Sequence, residues 1–299
     1  MNTRDIEAFL AVVDTGSIVG AAQRLNLTQP GVTRRVQNLE QSLGVDLLDR
    51  QSKPLKPTSA GREAYALGRR VVASVEDLKS GLRPDSLPSG DFRLGLTPFL
   101  NDVAVAGALD RLRKLYPQLS LRVTSAWSGD LLTQLQEGRI DAGGIFVPAS
   151  LEPPETLARQ HLGSHPVLIV AAKSLGLPDR VGLKEIASLP WVLNQDGCSF
   201  RKVMRRALEI EHLPFNVAVE VMSPELRLSL VARGLGLGIT TTAALAASPS
   251  RSEIQLLEVE GFDATIHGWL VHRPPAGRLA QPISCLADDL KAVFSNATL

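Results

Sequence analysis

The chain has only two cysteines, Cys198 and Cys285, too few for a disulfide framework and no basis for a thiolate zinc site. Its five histidines (His161, His165, His212, His267 and His272) are scattered, without the spacing that puts two metal ligands on one helix face. Long apolar runs are missing as well. The longest, such as residues 167–172, are far too short to cross a bilayer. The opening Met-Asn-Thr-Arg-Asp-Ile-Glu carries charge and no apolar stretch, so no signal peptide is expected. These absences predict a reduced, cytoplasmic protein with no membrane partner. Glycine-rich phosphate loops are absent too, since Gly234-x-Gly236-x-Gly238 closes a helix and opens a strand, the reverse of a dinucleotide fingerprint. No nucleophile–base or metal constellation is visible, so neither an enzyme nor a resident cofactor is predicted.

An excess of one charge is also lacking. The formal net charge is +1, which alone argues against a nucleic-acid partner. The distribution reverses that reading. Across residues 17–62, Arg24, Arg34, Arg35, Arg50, Lys53, Lys56 and Arg62 face only Glu40, Asp46 and Asp49, giving a local positive field.

That segment reads as two short helices and a wing. Ser17 can cap a helix whose apolar residues are Ile18, Ala21, Ala22 and Leu25. Asn26-Leu27 forms the break. Thr28 can cap a second helix, with Pro30 in its first turn, where a missing N–H costs nothing. Val32, Val36, Leu39 and Leu43 recur at helical spacing and are expected to face the core. Gln29, Thr33, Arg34 and Gln37 are left on the opposite face. Such a face suits the major groove, where Arg bonds guanine and Gln bonds adenine in a bidentate manner. Residues 51–57 form a wing stiffened by two prolines, and Lys53 and Lys56 can approach phosphates. A preceding helix, about residues 3–14, carries Ile6, Phe9, Leu10 and Val13 on one face.

The same block resembles the LysR-type transcriptional regulators. The match runs from Phe9 through Gly16-Ser17, Ala21-Ala22, Leu25, Thr28-Gln29-Pro30, Val32-Thr33, Leu39-Glu40, Leu43-Gly44, Leu47 and Arg50 to Thr58 and Gly61. Leu48 stands where the family usually has Phe, and Thr33 where it commonly has Ser; both keep size class or chemistry. The expected DNA-binding set is therefore Ser17, Thr28, Gln29, Pro30, Thr33, Arg34, Gln37, Arg50, Lys53 and Lys56. Double-stranded promoter DNA is the expected partner, with RNA polymerase as a further candidate.

Thr58 is placed to cap a long helix reaching about residue 82. Ala64, Leu67, Val71, Val75, Leu78 and Leu82 alternate at spacings of three and four, a narrow coiled-coil seam. This stripe can pack on its own wing or on a second copy. The resemblance agrees with the second, and implies a homodimer that further pairs into a homotetramer. Residues 83–90 are a polar Pro/Gly linker.

Beyond it, strands near 92–97, 119–126, 140–147, 166–172, 191–194, 217–222 and 237–241 alternate with helices, an α/β pattern for which mostly parallel pairing is expected. Residues 131–146 and 227–241 echo each other as a helix, a glycine and a buried strand, suggesting two similar lobes. The resemblance implies two crossover strands between them, placed near 147–162 and 261–269. The whole reads as α plus α/β. A winged helix-turn-helix spans 1–58, a linker helix and hinge 59–89, and a two-lobed effector domain resembling periplasmic binding proteins 90–299. Lobe I takes 90–162 and 267–299, and lobe II 163–266.

In open α/β sheets ligands bind beyond the carboxyl ends of strands, where helix N-termini offer N–H groups to negative charge. Four such junctions occur: Thr97-Pro98, Trp127-Ser128-Gly129, the run from Asp196 to Ser199, and Ser223-Pro224. Each hydroxyl can be a plain helix cap; their convergence on one cleft favours a site for a small organic anion of unspecified identity. The effector-binding set is Thr97, Pro98, Trp127, Ser128, Phe146, Cys198, Ser199, Phe200, Arg201 and Thr240. Arg201 is the candidate carboxylate grip, against the alternative of a solvated basic helix face shared with Lys202, Arg205 and Arg206. Trp127, Phe146 and Phe200 are apolar walls or core. The Asp196-Gly197-Cys198 run also resembles peroxide-sensing members of the family, which makes thiol-based redox sensing through Cys198 an alternative. No resolving cysteine lies one helix further on.

Overall fold

The computed structural model describes residues 2–81, 87–100, 104–262 and 264–296. Helices α1 (Thr3–Thr15), α2 (Ile18–Leu25) and α3 (Gln29–Leu43) lead to a wing, β1 (Leu48–Asp49) and β2 (Lys56–Pro57), and then to the long α4 (Ser59–Gly81). Lobe I opens with β3 (Gly90–Leu96), α5 (Ala104–Leu115), β4 (Leu119–Ser125), α6 (Ser128–Gln136), β5 (Ala142–Pro148) and β6 (Ala158–Pro166). Lobe II begins with β7 (Leu168–Ala172), β8 (Arg180–Gly182), α7 (Leu183–Ala187), β9 (Trp191–Leu193) and α8 (Ser199–Ile210). It continues through β10 (Val217–Glu220), α9 (Pro224–Ala232), β11 (Leu237–Thr240), α10 (Thr242–Ala247) and β12 (Ile254–Glu260). Finally β13 (Thr265–His272) and α11 (Ala280–Asn296) return to lobe I.

The N-terminal unit, residues 2–81, is organised by caps at the predicted places. Ser17 Oγ accepts from Gly20 N at 2.9 Å at the start of α2, and Thr28 Oγ1 from Gly31 N at 3.2 Å at the start of α3; with Asn26 in the left-handed conformation closing α2, the turn between α2 and α3 is bounded by satisfied helix ends. Phe9, Val32, Val36 and Leu39 are buried together. Leu43 is not. It is 44% exposed, because the last turn of α3 overhangs the three-helix core that its heptad neighbours fill. The wing is tied back to α3 by Glu40, whose Oε1 accepts from Leu47 N at 2.9 Å and whose Oε2 accepts from Arg50 Nη2 at 2.8 Å. Gly61 sits where a Cβ would come within 2.0 Å of the Leu47 carbonyl oxygen; only glycine lets α4 start that close to β1.

Asp14 knots three helices together. Its Oδ1 accepts from the Tyr65 hydroxyl at 2.6 Å, and its Oδ2 from Arg69 Nη2 at 2.5 Å and Arg24 Nη1 at 2.7 Å. One face of α4, with Tyr65 and Gly68, is thereby seated on α1. The other carries Leu67, Val71 and Leu78 at 50%, 42% and 64% exposure, while Ala64 and Val75 are half-buried. Leu82 and residues 83–86 of the expected linker lie outside the described residues.

Each lobe is built on one sheet, with strand orders β4-β3-β5-β13-β6 and β10-β9-β11-β7-β12-β8. Pairing is mixed, not mostly parallel. β3 runs parallel to β4 and β5, but β13 is antiparallel to both β5 and β6, and β7 is antiparallel to β11 and β12. The strands that return the chain between lobes run against the others. The first crossing sits elsewhere than expected, at residues 166–168 between β6 and β7 and not at 147–162; the second, between β12 and β13, falls within the expected 261–269. Lobe II is therefore about 167–264, and β6 belongs wholly to lobe I. One apolar cluster runs through both lobes, from Phe92 and Leu94 to Trp191 and Phe200. Among the described residues no helix is long and apolar enough to cross a membrane, and no three His, Cys, Asp or Glu side chains gather as a metal site.

Burial alone would raise the Asp14 carboxyl, but Arg69, Tyr65 and Arg24 outweigh it and hold it below its ordinary value. A depressed carboxyl contributes stability that is complete above the unfolded-state value of ~3.9 and disappears as pH falls through the lower folded value. Asp14→Asn is therefore expected to lower the melting temperature at neutral pH, with the gap to the wild type closing as the solution is taken below about pH 4. Thermal melts followed by circular dichroism across that range check it; a gap that widens in acid contradicts the network.

Candidate functional site

Two surfaces carry the chemistry the sequence singles out. On α3, Gln29, Pro30, Arg34 and Gln37 are exposed on the face opposite Val32 and Val36, as a groove-reading helix needs. Thr33 is half-buried, and its hydroxyl donates back to the Gln29 carbonyl at 3.0 Å. Ser17 and Thr28 act as helix caps. Their oxygens close the N-terminal ends of α2 and α3. Lys53 and Lys56 are exposed on the wing. Leu55 N donates to the Gly16 carbonyl at 2.9 Å, which anchors the wing to the α1–α2 turn. Arg50 differs from expectation. Part of its guanidinium is held by Glu40, though the side chain remains 60% exposed, so it braces the wing as well as facing solvent.

The second surface lies between the lobes, and there a main-chain carbonyl is the centre. The Phe146 oxygen accepts from Ser128 Oγ at 2.8 Å and from Ser199 Oγ at 2.7 Å, while Phe146 N donates to Ser128 Oγ at 3.1 Å. Ser128 belongs to α6 of lobe I and Ser199 to α8 of lobe II, so one peptide group clasps both. Neither serine is a plain cap. Ser223 is one, accepting from Leu226 N at 3.2 Å. Around the clasp, Phe146 and Phe200 are buried with Phe99, at ring separations of 5.9 Å between the first pair and 4.3 Å from Phe99 to Phe200. Trp127 lies half-buried over Gly197 of lobe II, where a Cβ would be 3.0 Å from the indole. Thr97 and Thr240 follow the same logic at the ends of β3 and β11. Both are buried, and among the described residues neither hydroxyl has a hydrogen-bond partner, an uncommon state for a buried polar group. Pro98 opens the short turn Pro98–Leu100 beside them.

Arg201 does not face the cleft as an open grip. It is buried, and Nη1 donates to the Asn194 carbonyl at 2.8 Å and to Glu220 Oε1 at 2.7 Å. Its charge is spent on bracing α8 to β9 and β10. The buried cation that does approach the aromatic cluster is Arg227, in the first turn of α9. It lies 5.5 Å from the Phe99 ring centroid and bonds Asn194 Oδ1. Sequence reasoning passed over Arg227, Asn194 and Phe99. The available signal was an arginine in the apolar phase of α9, beside Leu228 and Val231. Cys198 is 1% exposed, and its sulfur accepts from Asn194 Nδ2 at 3.2 Å. Cys285 is on α11 in the other lobe, where burial and Asp289 push its thiol up. An inaccessible thiol without a resolving partner in its own lobe is a poor peroxide target.

Comparison with known proteins identifies both domains. Residues 3–62 match the model of the bacterial regulatory helix-turn-helix protein, lysR family, and residues 85–295 match the LysR substrate binding domain. The HTH-type transcriptional regulator YofA of Bacillus subtilis is 25% identical over 254 residues, covering 85% of this chain and 86% of that protein. A full-length OxyR variant from Pseudomonas aeruginosa shares the fold with a TM-score of 0.80 at 18% identity, over 99% of this chain and 97% of that one. Full-length CbnR in complex with its target DNA aligns with a TM-score of 0.60 at 19% identity, over 98% and 100%. Helix-turn-helix, wing and two-lobed effector domain thus occur in one chain and in the family's order, and the protein belongs to the LysR-type transcriptional regulators.

Proposed function

We propose that this regulator reads promoter DNA through the outer face of α3, pairs with a second copy along α4, and takes a small organic anion between its lobes. The observation that carries the effector reading is the pair of buried, unpartnered hydroxyls, Thr97 and Thr240, one in each lobe. A ligand bearing oxygen atoms satisfies both and gains from a site already dry. Arg227 supplies the positive charge in place of Arg201, which holds the Asn194 backbone. Phe99, Phe146, Phe200 and Trp127 set the size limit. Cys198 lines this site without acting as the switch.

The mechanism is a shift of population. An effector that binds better when the lobes are closed favours the closed form, and closure changes how two effector domains sit across α4. That alters the spacing of the two α3 helices on DNA, in the cytoplasm where promoter and RNA polymerase are met. The exposed seam of Leu67, Val71 and Leu78 supports the dimer, since a contiguous apolar stripe of this kind is seldom left to water. Pairing of dimers into a tetramer extends the same scheme.

Three expected outcomes test this. Arg34→Ala costs on the order of 1–3 kcal/mol of operator affinity and relaxes base preference, whereas Lys53→Ala weakens all sequences alike and flattens the salt dependence. Gel-shift titrations on operator and scrambled duplexes separate the two; unchanged discrimination by Arg34→Ala means α3 is oriented otherwise. Changing Val71 and Leu78 together to Glu yields monomers by light scattering, and a variant that stays dimeric moves the interface elsewhere. In a thermal-shift screen of organic anions, Thr97→Val loses the stabilisation that the wild type shows, and Cys198→Ser keeps it. Peroxide-sensitive DNA binding that Cys198→Ser eliminates would falsify the anion site in favour of the thiol.

A further inference from the structure

Away from the cleft, α4 and lobe I enclose a cavity of about 510 Å³. Arg70 lines it from α4, Arg273 from the end of β13, and Leu157, Leu279 and Ile283 form an apolar wall. Arg278, also at its edge, is engaged: Nη2 donates to the Asp91 carbonyl at 2.9 Å and approaches Glu76 Oε2 at 3.3 Å. Arg70 and Arg273 differ. Among the described residues neither guanidinium makes an ion pair or a hydrogen bond. The carboxylate that acts on Arg273 is Asp141, and Arg93 already fills it. Asp141 Oδ2 accepts from Arg93 N at 2.8 Å and Nε at 3.1 Å, and Oδ1 accepts from Nη2 at 2.5 Å. Burial lowers the Arg273 guanidinium from its ordinary value, and Arg70 and Arg93 add to this against the pull of Asp141. A half-buried cation crowded by two others, with no counter-ion of its own, is an unfavourable arrangement that an anion relieves.

We propose that this cavity is a second small-molecule site, taking an organic anion whose carboxylate or phosphate is gripped by Arg70 and Arg273 and whose apolar body rests on Leu157, Leu279 and Ile283. Two guanidinium forks suit either oxyanion. The volume falls within the range of roughly 300–1,000 Å³ common for ligand sites. Its walls come from the linker helix on one side and lobe I on the other. Occupation therefore braces the joint between DNA-reading half and effector domain, independently of the interlobe cleft.

The test is isothermal titration of the full chain with benzoate and with phenyl phosphate, which distinguishes the two oxyanions. At least one of them is expected to bind saturably to the wild type. Binding should weaken roughly ten- to hundredfold in Arg70→Ala/Arg273→Ala, as loss of charge-assisted hydrogen bonds implies. Arg70→Glu, at an exposed helix position where folding is not at risk, should show the same loss. Thr97→Val, which alters only the cleft, should keep the binding component that the arginine variants lose, and this separates the two sites. The proposal is overturned if neither anion binds the wild type, if the arginine variants bind as the wild type does, or if Thr97→Val removes the same component as the arginine variants.

Discussion

The effector domain turns on one main-chain oxygen. The carbonyl of Phe146 receives a hydroxyl from α6 of lobe I and another from α8 of lobe II, and everything that faces the cleft is placed relative to that junction. Phe99, Phe146 and Phe200 exclude water around it, so solvent does not compete for the acceptor. Each such hydrogen bond contributes only about 0.5–1.5 kcal/mol net. A clasp of that strength holds the lobes in register, yet is weak enough for a ligand's preference between two states to outweigh it. In the proposed mechanism, two serines leave the lobes free to shift where a buried salt bridge would hold them more tightly.

In the DNA-binding half, charge is divided between two tasks. Arg24, Arg69 and Arg50 are paired with Asp14 and Glu40, and these pairs join helices and wing into one body. Arg34, Lys53 and Lys56 stay in solvent. A chain of nearly zero net charge can therefore present a positive face, because Asp14 and Glu40 are engaged by arginines that hold the scaffold while Arg34, Lys53 and Lys56 point out. The Glu40 bonds to Leu47 and Arg50, with the bond from Leu55 N to the Gly16 carbonyl, set the wing lysines relative to α3.

How far the sequence reveals this depends on whether a signal is local. The caps Ser17 and Thr28, the apolar phase of α3 and the wing are set by neighbours a few positions away, and they are readable directly. Leu43 misleads because periodicity does not say where the core stops. β6 and β13 are harder. ARQHLGSHP and TIHGWLVH carry histidine, glycine and serine, and they read as connections, since half of each strand faces outward. Missing them displaces the first crossing and suggests a more parallel sheet than exists. In the cleft, Ser128, Ser199, Thr97 and Thr240 are legible from their place at strand and helix ends. The engagement of Arg201 and the burial of Arg227 are not, because Glu220 and Asn194 are brought to these side chains only by the completed lobe II sheet.

The position of β13 has a consequence for the making of the protein. In its sheet β6 has a single neighbour, β13, and the whole of lobe II separates them in the chain. As a ribosome delivers the polypeptide, β6 emerges long before the strand that will hold it, and its hydrogen-bonding edge waits while lobe II is synthesised. Lobe II, whose strands pair with one another, can close first. Lobe I is then sealed last, by a strand arriving from beyond it. Pairings of such long sequence separation are slow to form and leave an open edge in the interval. The histidines, glycine and terminal proline of β6 make that edge a poor template for another chain.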